Sequence, residues 1–592
     1  MKKSHNKQSR HIQNALKKVQ SAFVLFNQGK LKEALDICKK LLLNNPNDVN
    51  ALNLTGIIKD RQNKKEDAIV FFKKASNLSP NNADILSNIG ITSFELNNLP
   101  EAKKYLTLAI EKDPSSAKAW LHLANVSLKE KKLDIAVDQF KKSFKHNPTQ
   151  AGVAQSIGVY SVNLGHFDEA KKYLEESKKL APQNIETLNA LGVVNQETEN
   201  YHEAIVCYEQ SLAIDNANAA THNNLGHLYV KLQESRLAKK HFLEAISIDP
   251  THQNALNNLS MLELSLGDYI NGWNHYQYRT SIQNSVYDPS PNKLPESISG
   301  EKILILKEQG IGDELFFLRF VDQLKSKGAI ISYFPCSKLL PLLKPLLKPV
   351  VPLPLKKVLK PEQKPETLQQ DLFNELLEEL PNKSKYDLCI AVGDLPYLLQ
   401  HNLVNNGTKT TFPPSLPLQV NQNALNKVKT TLAEFGPPPY IGITWRSGGI
   451  VNNKKTGSYY KEIDLAALCQ VLKSIPGTIV IAQHNTTEEE INYISDQIKR
   501  PIIDASIYHE NLEYMLSLLS LLKNYICVSN TNVHLRDCLG LPSDVLVCSP
   551  PEWRWLTKGK TSPWFPQSRI YRQEKEGSWE KALSGLKENL RL

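Results

Sequence analysis

Two short stretches hold residue types that could handle anions and hydroxyl groups. The first, Gln309-Gly310-Ile311-Gly312-Asp313-Glu314, follows an apolar run at 303–306 and precedes an apolar-periodic run at 315–324, the pattern of strand, glycine turn and helix. Glycine permits a tight turn there, and the free N–H groups at a helix start favour an anionic group. Gly310 and Gly312 do not follow the dinucleotide fingerprint, and Asp313 is of a type favoured at a helix N-cap, so this stretch alone leaves cap and site both open. The second stretch, Ser529-Asn530-Thr531-Asn532-Val533-His534-Leu535, sets hydroxyl, amide and imidazole groups after the strand-like run 525–529. Read by itself, His534 is a core histidine.

These stretches lie in the last half of the chain, and the first half is built differently. Alanine recurs at Ala34, Ala68, Ala102, Ala136, Ala170, Ala204 and Ala238, seven times at a spacing of 34 residues without an insertion. Pro46, Pro80, Pro114, Pro148, Pro182 and Pro250 form a second column, broken only by Asn216. Gly56, Gly90, Gly158, Gly192 and Gly226 form a third, with Ala124 and Ser260 as small substitutes. Small residues let two antiparallel helices approach closely, and proline ends the second helix of a unit before the next begins. This pattern is identified as tetratricopeptide repeats (TPR), seven of them over 15–252, stacked into a superhelix whose concave face would hold a peptide or protein partner. A basic tail precedes them at 1–14. A partial repeat at 253–286, carrying Gly267-Asp268-Tyr269, Trp273, Tyr276 and Arg279, reads as an aromatic cap that docks the array to the C-terminal half of the chain.

At 592 residues the chain exceeds one hydrophobic core, and 41% hydrophobic with 22% charged residues fits folded domains. No run approaches the roughly 20 apolar residues of a membrane span, and no apolar segment of signal-peptide length follows the basic start, so a cytoplasmic protein is expected. The eight cysteines lack zinc or disulfide spacing. The formal charge of +10 comes with lysine pairs in repeat register, such as Lys39-Lys40 and Lys73-Lys74, which is the pattern of a solvated helix face and not of a nucleic-acid site. After a linker at 287–300, one α/β lobe is expected over 301–420, with a variable proline- and lysine-rich excursion at 337–381, and a second over 421–592.

Four blocks in this region carry a resemblance: 267–279, 310–319, 442–449 and 529–573, the last including Leu539-Gly540-Leu541-Pro542, Trp553-Arg554-Trp555, Ser562-Pro563-Trp564-Phe565-Pro566 and Tyr571-Arg572-Gln573. Together with the repeats they resemble TPR proteins whose C-terminal half is similar to the ADP-heptosyltransferase class of GT-B glycosyltransferases, and flagellin glycosyltransferases have a similar layout. The resemblance implies a two-lobed Rossmann-type fold with a cleft, a nucleotide-sugar substrate, inversion, and no metal or other cofactor. The absence of any Asp-x-Asp sequence agrees. It implies that Asp313 is the general base, and that Thr531 and His534 bind the diphosphate, with Gly310, Gly312 and Asn530 beside them. Arg446 and Lys461 are further candidates for phosphate contacts, although Arg446 could instead pair with a carboxylate.

On the repeats, Asn88, Asn224 and Asn258 share one position, and Asn189, Asn223 and Asn257 share the position before it. This is similar to the asparagine ladder of O-linked N-acetylglucosamine transferases, which binds a polypeptide backbone. Ordinary helix-surface polarity explains it equally. Two departures from the family pattern stand out. Arg536-Asp537 replaces small residues, and two bulky ions there would reshape or fill a phosphate pocket; Val392-Gly393-Asp394-Leu395-Pro396 replaces a Ser-Leu-Pro sequence. The expected function is transfer of a sugar to Ser or Thr of a protein held by the repeats; the alternative is a TPR scaffold with a degenerate transferase fold.

Overall fold

The computed structural model describes residues 16–279, 291, 293–308, 310–346, 348–349, 386–399, 412–447, 461–574 and 577–590. The tail 1–14, cap residues 280–286, linker residues 287–290 and 292, Gln309, excursion residues 347 and 350–381, and Gly448-Gly449 lie outside the described residues. The chain divides into two compact units between Asn216 and Ala217, one repeat before the 252/253 end of the array read from sequence and at the residue where the proline column breaks.

The first unit consists of helical pairs. After residues 16–27 and Leu31–Asn44, each pair joins a helix of 13 residues to one of 14, as in Val49–Arg61 with Lys65–Leu78 and Ile185–Glu197 with Tyr201–Ile214. Ala34, Ala68, Ala102, Ala136, Ala170 and Ala204 are fully buried between the helices. The glycine column is just as tight: a Cβ on Gly56 would lie 2.5 Å from the Phe72 ring, and one on Gly192 would lie 2.3 Å from that of Tyr208. A column that the sequence reading missed starts the first helix of four of the five pairs, where Asp48, Asn82, Ser116 and Asn184 accept the N–H of Ala51, Ile85, Ala119 and Thr187, while Gln150 makes no side-chain cap.

The second unit begins with the last full repeat, Ala219–Lys231 and Ser235–Ile248, followed by the cap helices Gln253–Leu266 and Tyr269–Tyr276. Two wholly parallel sheets come next. The first contains β1 (Lys302–Leu306), β2 (Ile330–Phe334), β3 (Lys348–Pro349) and β4 (Leu388–Ala391) in the order β3-β2-β1-β4. The second contains β5 (Tyr440–Thr444), β6 (Thr478–Ile481), β7 (Ile502–Asp504), β8 (Leu522–Val528), β9 (Asp544–Val547) and β10 (Arg569–Arg572) in the order β10-β9-β8-β5-β6-β7. Counted from β5, this is the doubly wound order 3-2-1-4-5-6, whose direction reverses between β5 and β8.

Parallel strands must be covered on both faces, and they are. Ile441 and Ile443 of β5 point into one core with Leu468, Ile494 and Leu583, while Tyr440 of β5 and Tyr525 of β8 join the opposite core. That second core is continuous with Ile303 and Ile305 of β1 and with Trp273 and Tyr276 of the cap, so both sheets and the cap share it. All eight cysteines are free, and six are buried. Among the described residues no helix is long and apolar enough to cross a membrane.

The glycine column is expected to be intolerant in proportion to its contacts. Gly192→Ala should lower stability by about 1–3 kcal/mol by overpacking against Tyr208. Gly152, whose Cβ position meets nothing within 4 Å, should tolerate alanine with no loss; thermal melts of the two variants check this.

Candidate functional site

Asp313 is positioned by the first sheet. Beyond β1 the chain turns at Gly310, the N-cap of the helix Ile311–Leu318, and Asp313 in its first turn accepts the Gly310 N–H at 3.4 Å. Asp313 is therefore not the N-cap residue. Its neighbour Glu314 turns inward, is 1% exposed, and accepts the Tyr333 hydroxyl and the Cys336 N–H at 3.2 Å; burial pushes its carboxyl above the usual range.

The second sheet supplies the opposite wall. β8 runs into Ser529 and Asn530, and Asn530 caps the helix Thr531–Cys538 by accepting the Val533 N–H at 3.3 Å. These residues lie past the carboxyl end of β8, one of the two strands flanking the reversal of strand order, where open α/β sheets bind ligands. Gly312 packs directly on this helix, since a Cβ there would lie 3.1 Å from His534 Cδ2 and 3.6 Å from Thr531 Cα. The structure thus brings Gly310, Gly312, Asp313, Asn530, Thr531 and His534 together.

Between the walls stands Arg554, which the sequence reading quoted within Trp553-Arg554-Trp555 and gave no role. The turn Trp553–Trp555 carries it, and its guanidinium lies 4.4 Å from the centre of the Trp553 ring and 4.7 Å from that of Phe316. It donates to Asp313 from one side and to Glu552 at 2.7 Å from the other. Glu552 also accepts Lys461 Nζ at 2.8 Å and Ser529 Oγ at 2.9 Å. The result is a chain of ionic contacts, Asp313–Arg554–Glu552–Lys461, crossing from one sheet to the other. Burial alone would raise the Glu552 carboxyl, but Lys461 and Arg554 hold it well below the usual range. Burial, reinforced by Arg554, keeps His534 neutral with its pKa far below the usual value. His534 Nδ1 and Arg554 Nε are buried and have no hydrogen-bond partner among the described residues.

Arg446 sits elsewhere. Its guanidinium pairs with both oxygens of Glu490 and donates to the Asn485 carbonyl at 2.7 Å, so its side chain is committed to the segment after β6. The Arg536-Asp537 pair does not fill the space between the walls, contrary to expectation. Arg536 is 1% exposed and donates to the carbonyls of Pro542, Leu519 and Leu522, tying the end of a helix to the start of β8. Asp537 accepts Ser415 and Arg319, whose guanidinium also donates to the Trp564 carbonyl at 2.8 Å.

The substituted Val392-Gly393-Asp394 segment has a partner in the cap. Arg279 donates to Glu308 beyond β1, to Asp394 beyond β4 at 2.6 Å, and to the Tyr276 carbonyl. A Cβ on Gly393 would lie 2.8 Å from this guanidinium, which explains a residue without a side chain there. Trp553, Trp555 and Trp564 are 5%, 1% and 1% exposed, so they pack and present no face for a sugar.

On the repeats, asparagines bond to one another between successive units. Asn88 donates to Asn53 at 3.1 Å and accepts Lys118 at 2.9 Å, and Asn258 donates to Asn223 at 3.0 Å. Asn53 occupies the same column as Asn189, Asn223 and Asn257 and was not singled out from sequence. Asn189, Asn224 and Asn257 are half-buried on their helices.

Comparison with known proteins identifies the repeats. Tetratricopeptide-repeat models match residues 61–126, 151–184, 197–233 and 219–252, so this part of the chain consists of TPR units. Protein FlbA of Caulobacter vibrioides is 23% identical over 346 residues, covering 55% of this chain and 53% of its own length; the chain thus spans about half of that relative. Similar solved structures include YrrB, described as a TPR protein with an unusual peptide-binding site (24% identical, 31% of this chain and 95% of that one, TM-score 0.30), and pilF of Pseudomonas aeruginosa (20% identical, 35% and 94%, TM-score 0.33). The C-terminal part of a TPR protein from Cytophaga hutchinsonii is 14% identical, with 41% and 99% covered and a TM-score of 0.35.

The buried neutral His534 gives a pH signature. Its native pKa lies below the unfolded value of 6.5, so below that pH the unfolded chain takes up a proton that the native chain refuses. Stability is complete above 6.5 and falls by about 1.4 kcal/mol per pH unit as the pH drops further. His241 contributes in the same direction. Six of the seven tryptophans lie in the second unit, so melts followed by tryptophan fluorescence at pH 7 and 5.5 should show the loss in the native chain and a smaller one in His534→Gln.

Proposed function

We propose that the α/β part is a metal-independent, inverting glycosyltransferase of the GT-B type, and that the TPR units recruit the protein whose Ser or Thr hydroxyl is the acceptor. One observation carries this reading: at a helix start beyond β1, Gly312 packs on Thr531 and His534 beyond β8, and its neighbour Asp313 is linked through Arg554 and Glu552 to Lys461. The two wholly parallel sheets and the doubly wound order of the second also support it.

In this reading the acceptor oxygen attacks the anomeric carbon of a nucleotide-sugar. The bond from that carbon to the diphosphate oxygen breaks with its electron pair, and the hydroxyl proton passes to the Asp313 carboxylate. The departing diphosphate carries the developing charge, which Arg554, Lys461 and the free N–H groups of the Thr531 helix start can bear without reorganising. His534, held neutral, contributes a hydrogen bond and no charge. Asn530 shapes the turn by capping the helix, and Gly312 permits the approach of the two walls. Arg446, bound to Glu490, supports β5 and β6 here and does not touch the phosphates. The nucleotide-sugar is a substrate, and the reaction needs no cofactor. The reading places the reaction in the cytoplasm.

A second reading, a TPR scaffold with an inactive transferase fold, is favoured by one feature. Arg279 of the cap occupies the carboxyl ends of β1 and β4, where the first sheet would otherwise open to a ligand.

A panel of nucleotide-sugars separates the two. Turnover of one of them, unchanged by a chelator and reduced about 10²–10⁴-fold in Asp313→Ala, is expected for a general base. Equal turnover in the variant would remove Asp313 from the mechanism, and neither turnover nor nucleotide binding in the native chain would leave the scaffold.

A further inference from the structure

We propose that Arg554 is operated by the donor: it is shared between Asp313 and Glu552, and an entering diphosphate takes it from Asp313 and so releases the carboxylate to act as base. The inference rests on the transferase reading and adds an order of events to it.

The ionic chain is unequal along its length. Glu552 is held by three donors, Lys461, Ser529 and Arg554. Among the described residues Asp313 has Arg554 and the long 3.4 Å contact from Gly310, and its side chain is 29% exposed against 5% for Arg554. The Asp313–Arg554 contact is therefore the one that solvent, or a stronger anion, reaches first. Arg554 itself cannot swing far. It is packed over Trp553 and Phe316 and anchored by Glu552, so a change of partner requires only that Asp313 be replaced at one end of the guanidinium.

The buried polar atoms nearby point to what could replace it. Among the described residues, Arg554, 4% exposed, has no partner for its Nε, and His534, 7% exposed, has none for its Nδ1. Leaving such atoms unpaired costs free energy, and a group with several acceptor oxygens could satisfy both. The Thr531 helix start, beside Gly312, adds the partial positive charge of a helix N-terminus. A diphosphate has the charge and the number of oxygens to compete with a single carboxylate for a guanidinium.

The exchange has a chemical benefit. Passing Arg554 to the diphosphate frees the Asp313 oxygen that the guanidinium occupies and places positive charge on the leaving group at the same moment. Asp313 would thus have that oxygen open to an acceptor hydroxyl only when a donor is in place.

The test is calorimetric titration of the full chain with UDP, GDP, ADP and CDP, supported by circular dichroism melts of each variant. For the nucleotide that binds the native chain, Asp313→Asn should bind about tenfold more tightly, since the competing carboxylate is gone, and Arg554→Ala about tenfold or more weakly, with partial recovery in Arg554→Lys. In the Arg554→Ala background, Asp313→Asn should add nothing. If the gain persists there, simple repulsion between Asp313 and the phosphates explains it and the exchange is overturned. Unchanged affinity in Asp313→Asn also overturns it while leaving the transferase reading intact. If no nucleoside diphosphate binds any of these proteins, the transferase reading itself fails and the inference goes with it. Should Arg554→Ala not fold, the double variant Asp313→Asn with Arg554→Lys takes its place, where retention of less than half of the gain is the supporting result and the full gain the overturning one.

Discussion

The packing of Trp273 is the contact on which the second unit depends. It is fully buried and meets Tyr276, Phe317, Trp553 and Trp564 edge-on, with ring centres 5.2–6.3 Å apart. Such pairs contribute about 0.5–1.5 kcal/mol each beyond the area they bury. Phe317 comes from the helix that presents Asp313, Trp553 from the turn that carries Arg554, and Trp273 from the cap of the repeats. One side chain from the helical half therefore sets the distance between two groups that belong to different sheets. The aromatic cap was expected to dock the array, and it also forms the floor of the candidate site.

Around that floor the charged groups are arranged by a single rule: each buried guanidinium has its acceptors supplied locally. Arg279 has two carboxylates, Arg319 a carboxylate and carbonyls, and Arg536 three carbonyls. A buried charge is tolerated only when paired in this way, and removing one partner costs far more than the pair contributes. These arginines act as fixed struts that specify which element lies against which. Arg554 differs from them, because one of its acceptors is partly exposed and its Nε is left over.

Which of these features could be read from the chain depends on how local they are. The alanine, glycine and proline columns were legible because every unit repeats the same short-range packing problem, and a 34-residue period displays it seven times. The helix-capping column at Asp48, Asn82, Ser116 and Asn184 was equally periodic but was masked by variation in residue type, since several side chains can accept the same N–H. The turns around Asp313 and His534 were visible as strand–turn–helix patterns, and the family resemblance led us to expect them face to face. Arg554 was hidden because its meaning depends on Asp313, 241 residues away, and nothing in the Trp-Arg-Trp sequence announces a partner. Arg536 misled for a related reason. Its bulk suggested obstruction, whereas its length lets the guanidinium reach past the helix to three carbonyls on the far side. The division of the chain at 216/217 coincides with the break of the proline column at Asn216, but that break was not read as a boundary, since the last repeat has the same columns as the others.

That last repeat grips the α/β part through its own connecting turn. The Gln233 amide donates to Ser549 Oγ at 2.9 Å and to the Glu574 carbonyl at 3.1 Å, and the cap reinforces the hold where the Thr557 N–H meets the Ser265 carbonyl at 3.0 Å. The last repeat thus belongs to the same compact unit as the two sheets. In a stacked array each unit is stabilised mainly by its immediate neighbours, so whole units ahead of Asn216 could be gained, lost or exchanged over evolutionary time without disturbing a single strut around Arg554. The repeats and the α/β part could then diverge at separate rates within one chain.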